Sequence, residues 1–299
     1  MNRLIQFSPE VAKAINNRLP IIALESTIIS HGMPRPQNLE TALHLEEIAR
    51  EMEVVPATIC LLDGKIRVGL NKDELEILAK SEHVEKVSSR DIGRVLTAKQ
   101  VGAATVAATL KIAAWSGIKV IATGGIGGVH RRAEDTFDIS NDLIELSRNP
   151  VIVVSSGAKA ILDLPKTLEY LETMGVPVLG YQTCKFPAFY SSESDLKIDS
   201  IESAKEIAAI YKTSYDLKLN GGILAANPVP VDFEIPFEEM DNYIRSALKK
   251  SEVEHISGSK LTPFLLAEIV KLTGGRALKT NIKLVENNVR LACEIAKEL

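Results

Sequence analysis

The chain has little cysteine: Cys60, Cys184 and Cys293 stand alone among 299 residues, odd in number and without metal-ligand spacing. That usage points to a reduced, cytoplasmic protein. It has no excess of positive charge either. The formal net charge is −4 and no block of Lys or Arg occurs, which argues against a nucleic-acid surface. No apolar run reaches membrane length, and the opening Met1-Asn-Arg-Leu-Ile-Gln-Phe-Ser-Pro9 carries no apolar leader. Internal repeats and low-complexity tracts are absent. What is present is ordinary for a globular fold, 45% apolar and 25% charged residues. At this length one large α/β domain over residues 1–299 is expected, with 228–236 the best place for an internal break.

Strand and helix patterns alternate along that length, the mark of an α/β fold with a largely parallel sheet. Pro20–Leu24, Lys119–Thr123, Val151–Val154, Val176–Gly180 and Gly221–Asn227 read as buried strands. Asp63-Gly64 between two apolar runs is a hairpin signal. Helical periodicity covers Arg35–Met52, with Leu39, Leu43, Ile48 and Met52 near one face, and also Gln100–Trp115 and Ile201–Lys218. The C-terminal third is helical, Thr262-Pro263 opening one helix and Gly274-Gly275 closing it.

Chemistry concentrates where such strands end. Lys159 closes Pro150-Val-Ile-Val-Val-Ser-Ser-Gly-Ala-Lys159, and in open α/β sheets ligands collect beyond the carboxyl ends of the strands. Burial there disfavours an ammonium, and a neutral amine beside a sugar carbonyl is a Schiff-base nucleophile. The bland alternative is a solvated lysine at a helix start. Gly124-Gly-Ile-Gly-Gly-Val-His130 lacks the third glycine of a dinucleotide fingerprint and the Lys-Ser/Thr of a P-loop. It reads either as a backbone cradle for a phosphate, assisted by Thr123 and His130, or as a tight turn leaving the sheet. Ser140 fits a helix N-cap with Asp142 near the positive end of the helix dipole. Asp138 has no such duty, and a hard divalent cation can take a single carboxylate while keeping its waters. Glu25 ends a strand as a general acid would, although Arg35 is available to pair with it.

Six ordered blocks go further. Ala23-Leu-Glu25-Ser-Thr-Ile-Ile-Ser-His-Gly32, Lys86-Val-Ser-Ser-Arg-Asp91, Thr105-Val106, Thr123-Gly-Gly-Ile-Gly-Gly-Val-His130, Asp138-Ile-Ser-Asn-Asp142 and Ser155-Ser-Gly-Ala-Lys159 resemble the pseudouridine-5′-phosphate glycosidase family, also called indigoidine synthase A-like. The resemblance runs over nearly the whole chain. It implies a three-layer α/β/α sandwich with a mixed, largely parallel sheet, assembled as a homotrimer. It implies reversible cleavage of pseudouridine 5′-phosphate to uracil and ribose 5-phosphate, a step of nucleotide catabolism. By the same resemblance Lys159 corresponds to the nucleophile, Glu25 to the proton donor and Asp138 to the ligand of Mn²⁺ (or Mg²⁺). Lys86, Val106, Ser140, Asn141 and Asp142 correspond to substrate-binding positions, with Thr123, His130 and Asn281 as neighbours of the phosphate or sugar.

The residue types suit that reaction. A uracil carbon is a poor leaving group, so an amine that captures C1′ as the ribose ring opens supplies what a carboxylate pair cannot. Two other functions share part of the pattern: a Schiff-base aldolase acting on a phosphosugar, and a sugar-phosphate-binding module without catalysis.

Overall fold

Alternation along the chain builds one sheet. The computed structural model describes residues 3–256 and 261–299. Its strands, among the described residues, are β1 (Ile5–Phe7), β2 (Ile21–Leu24), β3 (Val55–Leu62), β4 (Lys65–Val68), β5 (Glu85–Val87), β6 (Gly102–Ala104), β7 (Val120–Ala122), β8 (Ile152–Ser155), β9 (Val178–Tyr181), β10 (Asp199–Ile201) and β11 (Ile223–Ala226). The main path runs β1-β4-β3-β2-β7-β8-β11-β9-β10, and β6 branches from β3 to carry β5. Pairing is parallel except where β3 meets β4 and β6.

Burial explains the composition of the central strands. Every residue of β7, β8 and β11 is buried. A strand covered on both faces has no polar side to show, so it reads as unbroken Val, Ile and Ala. Two sets of helices provide the cover. Gln37–Glu51, Ala204–Asp216 and the 22-residue Arg276–Lys297 pack together on one face, and Val106–Ser116, Asn141–Arg148 and Leu164–Thr173 on the other. This is the expected three-layer α/β arrangement with a mixed, mostly parallel sheet. At the hairpin, Asp63 (φ 53°) and Gly64 (φ 73°) form a two-residue loop with both residues left-handed, as a twist-matched type I′ turn requires.

The structure revises several boundaries. Residues 102–104 form β6, so the helix expected from Gln100 begins only at Val106, where the Thr105 hydroxyl accepts the Ala108 N–H at 3.4 Å. Ile201 ends β10 instead of opening a helix; Ser203 caps the helix that follows. Gln37–Glu51 buries Ala42, Leu45, Ile48 and Ala49, while Leu39 and Leu43 pack only partly buried on a satellite cluster. Thr262 and Pro263 lie inside the first turn of Leu261–Leu272, and the residues just before it fall outside those described. Gly274 and Gly275 stop that helix with φ of 58° and 88°. The 228–236 stretch is tied down at both ends: Asn287 donates to the Pro228 carbonyl (3.0 Å) and Ser191 to that of Ile235 (2.6 Å).

Candidate active site

Because β2, β7 and β8 are parallel neighbours, their carboxyl ends emerge together. Glu25 directly follows β2, Thr123-Gly124-Gly125 follows β7, and Ser156 to Lys159 follows β8. Glu25 and Lys159 thus arrive from strands on either side of β7. They line one narrow cavity of about 60 Å³ with Thr27, His31, Lys86, Thr123, Phe189 and Asn281.

Glu25 is 7% exposed and fully engaged. Its Oε2 accepts from the Thr27 hydroxyl and the Ile28 N–H (3.2 Å), and its Oε1 from the Thr123 hydroxyl (3.4 Å). Arg35, the partner the sequence offered, turns away to the Ser81 carbonyl (2.8 Å). Among the described residues Lys159 has no carboxylate partner. Its Nζ donates to the Gly125 carbonyl at 2.9 Å, and its backbone N–H to Ile126 O at 3.0 Å.

Charge is concentrated and partly desolvated. Burial first, then the Lys159 ammonium, hold the Lys86 amine below the ordinary lysine range, against the pull of Asp142, Glu25 and Asp138. Burial and Lys86 likewise hold His31 below the usual histidine value, and burial does the same to His130. Among the described residues, two cavity-wall atoms are buried with no hydrogen-bond partner, His31 Nε2 and Asn281 Oδ1. Such orphans are uncommon, and here both border the space a ligand would fill.

The glycine loop serves packing more than anion binding. Four of its N–H groups are taken by protein acceptors: Ile126 by Gly157 O (3.1 Å), Gly127 by Asp142 Oδ2 (2.7 Å), Val129 by Thr167 Oγ1 (3.0 Å) and His130 by Asp138 O (3.0 Å). A Cβ at Gly125 would lie 2.5 Å from the Phe189 ring, at Gly127 2.2 Å from Ser140 Oγ, and at Gly128 2.4 Å from Thr167 Oγ1. Glycine is needed because neighbours press directly on the backbone.

The 138–142 segment divides by role. Ser140 is the N-cap, its hydroxyl accepting the Asp142 N–H at 3.2 Å. Asp142 does more than face a dipole. One oxygen takes the Ala107 N–H (2.8 Å) and the other that of Gly127, joining the start of Val106–Ser116 to the glycine loop. Asn141 donates to Ser89 (2.7 Å) and Ser88 (3.3 Å), and Val106 is buried as the first residue of its helix. Val106, His130, Asp138, Ser140, Asn141 and Asp142 are not in the wall of the Glu25–Lys159 cavity. Asp138 is 45% exposed, with its Oδ2 3.9 Å from His130 Nδ1. Among the described residues no three His, Cys, Asp or Glu side chains converge as metal donors. The Asp138 carboxylate, a half-exposed oxygen donor, has the chemistry that a water-retaining hard cation takes.

Sequence reading missed Phe189. Its φ of 66° is unusual for a bulky residue, and its ring lies against Gly125 in the cavity wall. Ala188-Phe189-Tyr190 offers no local signal for this. A larger cavity, about 480 Å³, lies behind the Lys159 loop among Leu162, Leu196, Phe237, Met240 and Ile244. Two ion pairs line it, Arg131 with Asp241 (3.1 Å) and Lys166 with Glu134 (2.6 Å), and it holds none of the candidate residues.

A family model described as Indigoidine synthase A like protein matches residues 10–298. The chain belongs to this family. Relatives named pseudouridine-5′-phosphate glycosidase align with nearly the whole chain. The one from Caldanaerobacter subterraneus is 54% identical over 300 residues, covering 100% of this chain and 98% of its own. The one from Escherichia coli K12 is 52% identical over 297 residues, covering 99% and 95%. Among solved structures, the prealnumycin C-glycosynthase AlnA, in complex with ribulose 5-phosphate, superposes with a TM-score of 0.93 at 37% identity, covering 100% of this chain and 98% of that one. An indigoidine synthase A-like protein from Thermotoga maritima gives 0.90 at 38%, covering 98% and 95%.

Proposed function

We propose that this chain is a C-glycosidase that reversibly cleaves pseudouridine 5′-phosphate, with water, to uracil and ribose 5-phosphate. The observation that carries this reading is the convergence on one cavity of a buried carboxylate, Glu25, and an amine, Lys159, that has no carboxylate partner among the described residues. In a C-glycoside the leaving atom is carbon, so the base departs with the bonding pair only when an electron donor on C1′ stabilises the cation left behind. Glu25 supplies the proton as the ribose ring opens or the base leaves. Lys159 attacks C1′ as the C1′–O4′ bond breaks and O4′ takes a proton, the bond to the uracil carbon then breaks as that carbon is protonated, and the amine, having given up two protons overall, holds the sugar as an imine. Water hydrolyses the imine, releasing ribose 5-phosphate and the free amine.

Lys86 meets the substrate's negative charge, and a dianion beside it offsets the desolvation that depresses its amine. The orphaned acceptor Asn281 Oδ1 faces the space where sugar hydroxyls would lie. Asp138 would hold a divalent cation, Mn²⁺ or Mg²⁺, which supplies Lewis-acid polarisation of substrate oxygens when bound. A reduced cytoplasmic setting suits three free thiols, two of them buried. Assembly as a homotrimer belongs to the same reading and is checked by light scattering.

Borohydride trapping tests the central claim. With ribose 5-phosphate present, mass spectrometry should find the reduced sugar adduct on Lys159, and Lys159→Ala should lose both the adduct and uracil release. An adduct elsewhere, or turnover without Lys159, would overturn the mechanism. Release of an aldehyde from deoxyribose phosphate instead of uracil from pseudouridine 5′-phosphate would make the enzyme an aldolase. Ligand-induced thermal stabilisation without any turnover would make it a binding module.

A further inference from the structure

Asn288 is fully buried and lies outside the cavity wall, yet its amide reaches three neighbouring strand ends. Its Nδ2 donates to the carbonyls of Thr123 (2.8 Å) and Gly124 (3.3 Å), just beyond β7, and lies 3.2 Å from Ser156 Oγ, just beyond β8. Its Oδ1 accepts from Asn227 Nδ2 (3.0 Å), just beyond β11, and from the Ser156 hydroxyl (3.4 Å). An amide can donate on one side and accept on the other across such a gap.

What the amide holds matters. Thr123 bonds Glu25 through its hydroxyl, and the Gly124-Gly125 turn presents the carbonyl that receives Lys159 Nζ. Ser156 begins the loop that ends in Lys159, and its own N–H goes to Gly124 O at 2.9 Å. Asn288 is therefore one bond from the residue that orients Glu25 and one residue from the carbonyl that orients Lys159. Asn281 sits seven positions earlier on the same helix, two turns away on the same face, and reaches the cavity itself.

We propose that Asn288 is a positioning residue: it fixes the separation between the β7 and β8 loops, and so the placement of Lys159 relative to Glu25, without touching substrate. This rests on the assignment of Lys159 and Glu25 as the reacting pair. Small displacements of reacting groups are costly, about 10- to 100-fold in rate for shifts near 1 Å.

The test compares Asn288→Ala and Asn288→Ser with Asn227→Ala. Asn288→Ala frees the Thr123 and Gly124 carbonyls, Asn288→Ser keeps a short donor, and Asn227→Ala removes only a partner on the far side. All three should lower thermal stability. Assayed well below their melting temperatures, Asn288→Ala should lose 10-fold or more in kcat with KM changed less than 3-fold, and borohydride trapping of ribose 5-phosphate should slow in parallel. Asn288→Ser should recover part of the loss, and Asn227→Ala should keep kcat within 3-fold. Were Asn288→Ala not to fold, Asn288→Ser carries the decision by the same kcat criterion. Parental kcat in a folded Asn288 variant, or an equal kcat loss in Asn227→Ala, would reduce Asn288 to a scaffold residue and overturn the proposal. Turnover by Lys159→Ala would instead remove the underlying pair, a separate result.

Discussion

Lys159 Nζ points back across the gap between two strand ends and donates to the Gly125 carbonyl at 2.9 Å. A carbonyl orients an amine without balancing its charge. The cation nearest in effect is Lys86, which repels it. The arrangement differs from the lysine–carboxylate pairs on the same protein's surface, such as Lys166 with Glu134 at 2.6 Å.

Glu25→Gln should cost about 10²- to 10⁴-fold in kcat, the usual contribution of a positioned proton donor, with little change in KM. The amide preserves the shape and keeps an acceptor for Thr27 or Ile28. Steady-state uracil release decides this, and an unchanged kcat would remove Glu25 from its role.

Asp142 is a structural carboxylate by its bonds. Asp142→Ala leaves the Ala107 and Gly127 N–H groups without acceptors, a loss of about 1–3 kcal/mol for each buried donor. Asp142→Asn, retaining one acceptor, should fall between the two. Urea unfolding measures both; stability equal to the parent in Asp142→Ala would contradict this assignment.

His31 sets a pH dependence. Its folded value lies below the ordinary one near 6.5, so the unfolded chain binds more protons in the window beneath 6.5. Stability should therefore decline as pH falls through that window, and His31→Gln should decline less steeply. His130, shifted the same way, leaves part of the slope in place. Urea midpoints from pH 8 to pH 5 give the comparison, and identical slopes would rule His31 out as the source.

Metal dependence should be weak in affinity. One half-exposed carboxylate holds a hard cation loosely, so chelation should depress uracil release and added Mn²⁺ should restore it. Asp138→Asn should raise the Mn²⁺ concentration needed for half-maximal activity. Full activity after chelation in the parent would end this assignment.

Part of this protein was legible in the residue order, because the governing interactions are local. Asp63-Gly64 turns where two left-handed residues are required, Ser140 caps the helix it precedes, and the apolar runs became the central strands. Lys159 and Glu25 were placed at strand ends by pattern alone. Other features escaped for a physical reason. Residues 102–104 carry too little side chain to separate strand from helix, and they became β6 because the edge of β3 was there to pair with.

The order of the residues by itself determined the periodic elements, their caps and turns, and the delivery of an amine and a carboxylate to strand termini, since each depends on neighbours a few positions away. Only the tertiary structure decided that Asp142 would bridge Ala107 and Gly127, that Arg35 would leave Glu25 to Thr123, that Phe189 would press on Gly125, and that Asn288 would join three strand ends. Those partners lie up to 165 residues apart along the chain. Which of the many polar groups meet at such separations follows from the order in which parallel strands assemble, and no local propensity encodes it.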